Sequence, residues 1–227
     1  MRILIFLTVA AFLCACSKSR DDAGESRAAP PSSAPATPPA IPQDNRPIIA
    51  VFGDSISAGF GLPTGKSFPD FLQKKLDAEG KSFHVVNLGI SGDTTAEGVA
   101  RIDSATSLHP QVVVLELGGN DGLRGMPIAA TRANLDQMIL AFEKSGAKVV
   151  LAGMTLPPNY GPDYIHDFEK IYRDLAAQDH AALIPFLMSD ILTRDLRYLQ
   201  ADGIHPTAAG SEIIAGTVLR ALQPLLK

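Results

Sequence analysis

From residue 47 onward the chain alternates between two hydrophobic patterns. Short, nearly continuous apolar runs occupy 47–52 (PIIAVF), 83–88 (FHVVNL), 111–117 (QVVVLEL), 147–152 (AKVVLA) and 181–186 (AALIPF). Between and after them, apolar positions recur every three or four residues over 67–79, 94–107, 127–144, 163–178 and 207–222. A continuous apolar run suits a strand covered on both faces, whereas spacing of three or four paints one side of a helix. Strand-sized runs alternating with longer helical stretches predict an α/β fold with a central parallel sheet. Pro127 sits where a proline is tolerated, at the first turn of its helix. No internal repeat is present.

The first 46 residues follow neither pattern. Met1-Arg2 gives a positive start, and residues 3–13 form an eleven-residue apolar run. That is the shape of a secretory signal and is too short to span a bilayer, which needs about 20 residues. The run ends in Leu13-Cys14-Ala15-Cys16, which resembles a bacterial lipoprotein processing site with Cys16 as the lipidated residue. Cys14, preceded by bulky Leu13, fits the pattern poorly. Residues 1–15 are then a signal peptide, and two or more acyl chains on Cys16 hold a protein to a membrane where one does not. The alternative is an ordinary export signal with incidental cysteines. Residues 16–46 are rich in Pro, Ala and Ser, with seven of the seventeen prolines between Pro30 and Pro47. Such a stretch buries too little to offset its ordering entropy, which predicts a disordered tether. In polyproline form it reaches up to roughly 90 Å. The expected arrangement is a folded domain over 47–227, exported and lipid-anchored on the periplasmic side of a membrane. Ser17 rather than Asp after Cys16 favours the outer one.

Composition narrows the function classes. The 227 residues carry a formal net charge of −4, which gives no electrostatic reason to expect nucleic acid. Both cysteines lie at positions 14 and 16, so the domain has none for a disulfide, a metal site or a thiol nucleophile. Trp is absent and aromatics are 6%, so stacking platforms are sparse.

In open parallel sheets ligands bind beyond the carboxyl ends of the strands, and the polar irregularities of this chain fall there. Gly53-Asp54-Ser55-Ile56-Ser57 follows the first run. A serine there can project its hydroxyl into a cleft, though it is a weak nucleophile until a base takes its proton. Ser57 stands where a Gly-x-Ser-x-Gly elbow has its second glycine. Ser91-Gly92-Asp93-Thr94 enters a helix, where the Gly92 N–H is a free donor. In Gly118-Gly119-Asn120-Asp121, the Asn120 amide offers two donors without charge. In Asp202-Gly203-Ile204-His205, the three-residue spacing lets the carboxylate fold back onto the imidazole, fixing its tautomer. The other four histidines read as packing or surface residues. Each motif taken alone is equally a turn or a helix cap. Together they place a nucleophile, a base, an acid and two donors at one end of one sheet.

The order GDSIS, SGDT, GGND, DGIHP resembles that of the SGNH, or GDSL, hydrolase family. VVNLGISGDTTAEGVARI, VVVLELGGNDGLRG and LPPNYGPDY are similar to its bacterial branch of thioesterase/lysophospholipase enzymes and arylesterases, over some 180 residues. One departure is Ile56, where the family's name-motif has Leu. The resemblance implies a flavodoxin-like three-layer α/β/α sandwich, a catalytic set of Ser55, Asp202 and His205, and an oxyanion hole from Ser55 N–H, Gly92 N–H and Asn120. It implies hydrolysis of short to medium acyl or aryl esters or lysophospholipids, with thioesters as a further class, through an acyl-enzyme, with no cofactor and no metal. Substrate is then a small-molecule or lipid ester. A loop with Leu156, Pro157, Pro158, Asn159 and Tyr160 is expected to border the acyl pocket, or else to be a plain surface connection. Two other functions stay open: a carbohydrate O-acetyl esterase, and a non-catalytic lipoprotein that binds a ligand in a hydrolase fold. The second would be marked by loss of Ser55, Asp202 or His205, and all three are present. Residues 59–67 (GFGLPTGKS) superficially resemble a phosphate loop, but Phe60 occupies the position that motif reserves for its first glycine. They are expected to form a loop leading into the helix that starts near Ser67.

Overall fold

The computed structural model describes residues 44–193 and 196–226. The signal segment, Cys16 and the tether up to residue 43 lie outside the described residues. Each of the five apolar runs forms a strand: β1 (Ile48–Gly53), β2 (His84–Asn87), β3 (Val112–Glu116), β4 (Lys148–Ala152) and β5 (Ala182–Ile184). They pair in parallel in the order β2-β1-β3-β4-β5, the flavodoxin-like order. β1 and β3, at the centre, are buried almost throughout, which is why their sequences lack polar alternation. β5 is shorter than its apolar run because Pro185 has no N–H for the ladder.

Helices cover both faces, making three layers. α2 (Phe68–Ala78) packs on α9 (Ala208–Leu222) on one face. On the other, α6 (Ile128–Lys144) packs on α3 (Thr95–Ala100) and α7 (Pro162–Gln178). α2 begins as expected after 59–66, with Ser67 as its cap. Asp70 N–H bonds the Ser67 hydroxyl, and Ser67 N–H bonds the Asp70 carboxylate at 2.9 Å. Phe52 of β1 meets Phe142 of α6 edge to face at 5.5 Å, and both are fully buried. Such pairs add about 0.5–1.5 kcal/mol beyond the area they bury.

The structure departs from the periodicity in one helix. The stretch 94–107, expected as one helix, is two: α3 and α4 (Ile102–Thr106), broken at Arg101. The Arg101 side chain turns back to the sheet end instead of into solvent. It bonds the Asp93 carboxylate at 2.7 Å, the Leu88 carbonyl at 2.8 Å and the Gly53 carbonyl at 2.9 Å. Its guanidinium lies 3.9 Å from the centre of the Phe52 ring. These contacts with the sheet end outweigh helix continuity. Three short helices sit in segments to which the periodicity assigned no element: α1 (Ser55–Ala58), α5 (Gly119–Leu123) and α8 (Ser189–Leu192).

Candidate active site

Chain reversal in strand order falls between β1 and β3, and the segments leaving those two strands face each other there. β1 ends at Gly53, and Asp54 caps α1, its carboxylate accepting the Ile56 N–H at 3.0 Å. Ser55 is therefore the first residue of α1. Its N–H makes no hydrogen bond within the described residues.

From the far end of the chain, the loop before α9 brings His205 to Ser55. His205 Nε2 lies 2.9 Å from Ser55 Oγ, and Nδ1 lies 2.7 Å from Asp202 Oδ2. The other Asp202 oxygen accepts the N–H groups of Ile204 at 2.9 Å and His205 at 3.0 Å. One carboxylate thus folds the loop and orients the ring. The hydrogen bond from His205 and the two backbone N–H groups hold the Asp202 carboxyl down at about 2. It is ionised at neutral pH, so it fixes the imidazole proton on Nδ1 and leaves Nε2 as the acceptor for the Ser55 hydroxyl.

Of the other expected donors, Asn120 lies in α5 on the cavity wall. Its amide donates to the Asp93 carbonyl at 2.9 Å and to Asp54 Oδ2 at 3.2 Å, so both hydrogens have protein partners. Gly92 sits in the β2–α3 loop at φ +90°, a conformation that favours glycine. Its carbonyl accepts from Arg124 at 3.0 Å, and its N–H is unbonded within the described residues. Gly92 does not itself line the cavity. Its neighbour Asp93 ties that loop to Asn120 on one side and to Arg101 on the other.

Ser55 and His205 open onto a cavity of about 430 Å³, within the range of small-molecule sites. Its walls are chiefly apolar, with Leu123, Met154, Leu156, Pro157, Pro158, Phe186, Met188, Leu192 and Ile204. Three of the five residues of the expected substrate loop are thus at the cavity. Leu156, Pro157 and Pro158 line it, while Asn159 and Tyr160 do not. The Tyr160 hydroxyl instead anchors the loop to the Leu123 carbonyl at 2.7 Å.

Beneath the site lies a feature the motifs did not show. Glu116, the last residue of β3, is fully buried directly across the ladder from Gly53. Its Oε2 accepts the N–H groups of Asp54 at 3.1 Å and Ser57 at 3.2 Å, and the Ser57 hydroxyl. A Cβ at position 53 would fall on that carboxyl and on the Ser57 hydroxyl, so only glycine fits. Burial, then the Asp54 charge beside it, pushes Glu116 well above the usual carboxylate range. Burial also raises Asp54. Glu116 Oε1 is buried without a hydrogen-bond partner among the described residues. The sequence signal was a lone acidic residue in an otherwise apolar run. Arg101 carried no such signal, because its contacts form only once the sheet end is assembled around it. Among the described residues no cluster of three or more His, Cys, Asp or Glu side chains is arranged to hold a metal ion.

The chain is 46% identical to the Esterase TesA of Pseudomonas aeruginosa over 179 residues, covering 78% of this chain and 89% of that one. It is 36% identical to the thioesterase 1/protease 1/lysophospholipase L1 of Escherichia coli K12 over 179 residues, covering 78% and 84%. A TesA crystal structure matches with a TM-score of 0.75 at 46% identity, covering 79% of this chain and 99% of that one. A sequence profile of the GDSL-like lipase/acylhydrolases matches residues 51–213, more than half of the chain, and with these relatives it shows that the protein belongs to that family.

Proposed function

We propose that the domain is a serine esterase that hydrolyses carboxylic esters through a covalent acyl-enzyme. The observation that carries this reading is the Ser55–His205–Asp202 hydrogen-bonded chain at the mouth of an apolar cavity. Ser55 Oγ attacks the ester carbonyl carbon while its proton passes to His205 Nε2. Asp202 stabilises the imidazolium that forms. The carbonyl oxygen becomes an oxyanion facing the N–H groups of Ser55 and Gly92 and the Asn120 amide. Asn120 reaches it by sharing the hydrogen now held at 3.2 Å by Asp54, the longer of its two bonds. Collapse expels the leaving alcohol or thiol, which takes the proton from Nε2. Water then attacks the acyl-enzyme, giving its proton to Nε2, and the tetrahedral adduct releases the acid as that proton returns to Ser55.

The apolar walls favour an acyl or aryl group in the cavity, and the relatives' names span esterase, thioesterase and lysophospholipase activities. Leu156, Pro157 and Pro158 serve as the part of the cavity wall that adapts to the chain it holds. Labelling with a fluorophosphonate, followed by a panel of p-nitrophenyl esters, lysophospholipids, acyl thioesters and acetylated sugars, tests the whole reading. Labelling of Ser55 with turnover of acyl esters is expected. No labelling sinks the enzyme reading, and turnover of acetylated sugars alone redirects it to carbohydrate esters.

The same proposal includes the N-terminal segment: residues 1–15 direct export, Cys16 carries the lipid, and 16–46 tether the domain to the periplasmic face of the outer membrane. The support is the sequence Leu13-Cys14-Ala15-Cys16 followed by Ser17 and the Pro-rich stretch. An exported enzyme meets no cytosolic acyl-thioester pool, which favours membrane-derived esters. Radiolabelled palmitate is expected to enter the wild-type chain and the Cys14→Ser variant but not Cys16→Ser. Label retained in Cys16→Ser would remove the anchor from the proposal.

A further inference from the structure

We propose that Phe60 and Gln200 form a clamp that positions the His205 ring. The inference rests on the esterase reading above for its kinetic consequence, and on geometry alone for the clamp itself.

The α1–α2 connection, residues 59–67, is the stretch that superficially resembled a phosphate loop and has no role in the steps above. It carries Phe60, one of the few exposed large apolar side chains among the described residues, at 51% exposed. Its ring is not idle. It lies over the His205 imidazole, with ring centres 4.6 Å apart and planes tilted by 38°. Phe60 is not among the cavity-lining residues, so its contact is with the base and not with the acyl pocket.

Gln200 holds that arrangement from both sides. Its side-chain Nε2 donates to the Phe60 carbonyl at 2.7 Å and to the Pro206 carbonyl at 3.0 Å. Its backbone N–H donates to the His205 carbonyl at 2.8 Å, and its carbonyl accepts the Gly203 N–H at 3.0 Å. A single residue therefore closes the Asp202–His205 loop and ties it to the segment bearing Phe60, 140 residues away. Two consequences follow for turnover. The ring is flanked by Phe60 as well as anchored by Asp202, so its tilt toward Ser55 is fixed. When Nε2 takes the serine proton, the imidazolium lies against an aromatic ring within the range where a π system attracts a cation.

Kinetics and histidine ring signals in the full chain test this. In Gln200→Ala, kcat on a p-nitrophenyl ester is expected to fall about tenfold, since small misplacement of a reacting group is costly. Phe60→Leu, which keeps bulk but loses the π face, is expected to lose about two- to fivefold in kcat. In both, KM is expected to stay within about twofold, because nothing in the acyl pocket changes. Phe60→Tyr, which keeps the ring, is expected to restore most of the loss. Adding Phe60→Leu to Gln200→Ala should cost little more, because both act through one contact. The decisive readout is the proton NMR signal of the His205 ring, assigned by its absence in His205→Gln. Phe60 shifts it by ring current, and Gln200→Ala should abolish that shift although Phe60 is still present. A His205 ring signal in Gln200→Ala that keeps the full wild-type ring-current shift would overturn the clamp, as would equal kcat for Phe60→Leu and Phe60→Tyr. A wild-type chain that hydrolyses no ester would sink the esterase reading, and the ring signals would still decide the clamp.

Discussion

Replacing Ser55 with Ala is expected to lower kcat on a p-nitrophenyl ester by about 10⁶, to the level of residual binding and oxyanion stabilisation. The substitution removes one oxygen and nothing else. Ser55 Oγ has the His205 ring at 2.9 Å, and its loss leaves the Ser55 N–H, the Asp54 cap and the Glu116 network untouched. The melting temperature should therefore stay near wild type. Asn120→Ala provides the contrast. It deletes one oxyanion donor, which typically costs about 10²–10³ in kcat. It also removes the donor to Asp54 Oδ2 and to the Asp93 carbonyl, so a modest loss of stability is expected with it. The two variants together separate covalent from electrostatic roles. If both fell by the same factor in a stopped assay on one ester, the assignment of nucleophile and donor would be wrong.

The contrast also shows what the sequence could and could not disclose. The five strands were legible because a strand buried on both faces needs an unbroken apolar run, and few other local structures use one. Asp202 and His205 were legible for a related reason: their contact is made within one loop, three residues apart, so spacing alone suggests it. The short helices α1 and α5 were not, because four or five residues are too few to show a period and their glycines and polar residues read as turns. The break at Arg101 was hidden for the opposite reason. The residue is an ordinary helix former, and what draws it out of line is a carboxylate and two carbonyls reached through the fold. Glu116 stands between these cases. Its oddity within an apolar run was visible, but its partners depended on register. Only the pairing of Gly53 with Glu116 across β1 and β3 brings its carboxyl under Asp54 and Ser57. The clamp of Phe60 and Gln200 joins segments 140 residues apart and had no local signal at all.

Asp202→Asn is expected to cost about 10⁴ in kcat while leaving the fold intact. The carboxylate has two separate duties, and the amide keeps only one of them. An Asn side-chain oxygen can still accept the N–H groups of Ile204 and His205, as Oδ1 does now at 2.9 and 3.0 Å, so the loop should hold its shape. The other position changes from an acceptor to an NH₂ donor. It can no longer receive the Nδ1 proton at the 2.7 Å contact and must instead donate to Nδ1. That drives the imidazole to the tautomer with its proton on Nε2, facing Ser55 Oγ, where it cannot act as a base. Asp202→Ala should lose activity similarly but also lose stability, because both backbone donors are then unpaired. The pH dependence follows from the depressed carboxyl. Its folded value of about 2 lies below the ordinary 3.8, so it contributes stability that is present above the ordinary value and is lost as pH falls toward 2. Asp202 therefore stays ionised well below neutrality, and any loss of activity between pH 7 and 5 must come from another group. The check is a pair of measurements on the Asn variant: kcat against pH, and thermal melting at pH 7 beside the wild type. An Asn variant within about tenfold of wild type in kcat would mean that tautomer control by Asp202 is not what makes His205 a base, and the hydrogen bond would then serve only to shape the loop.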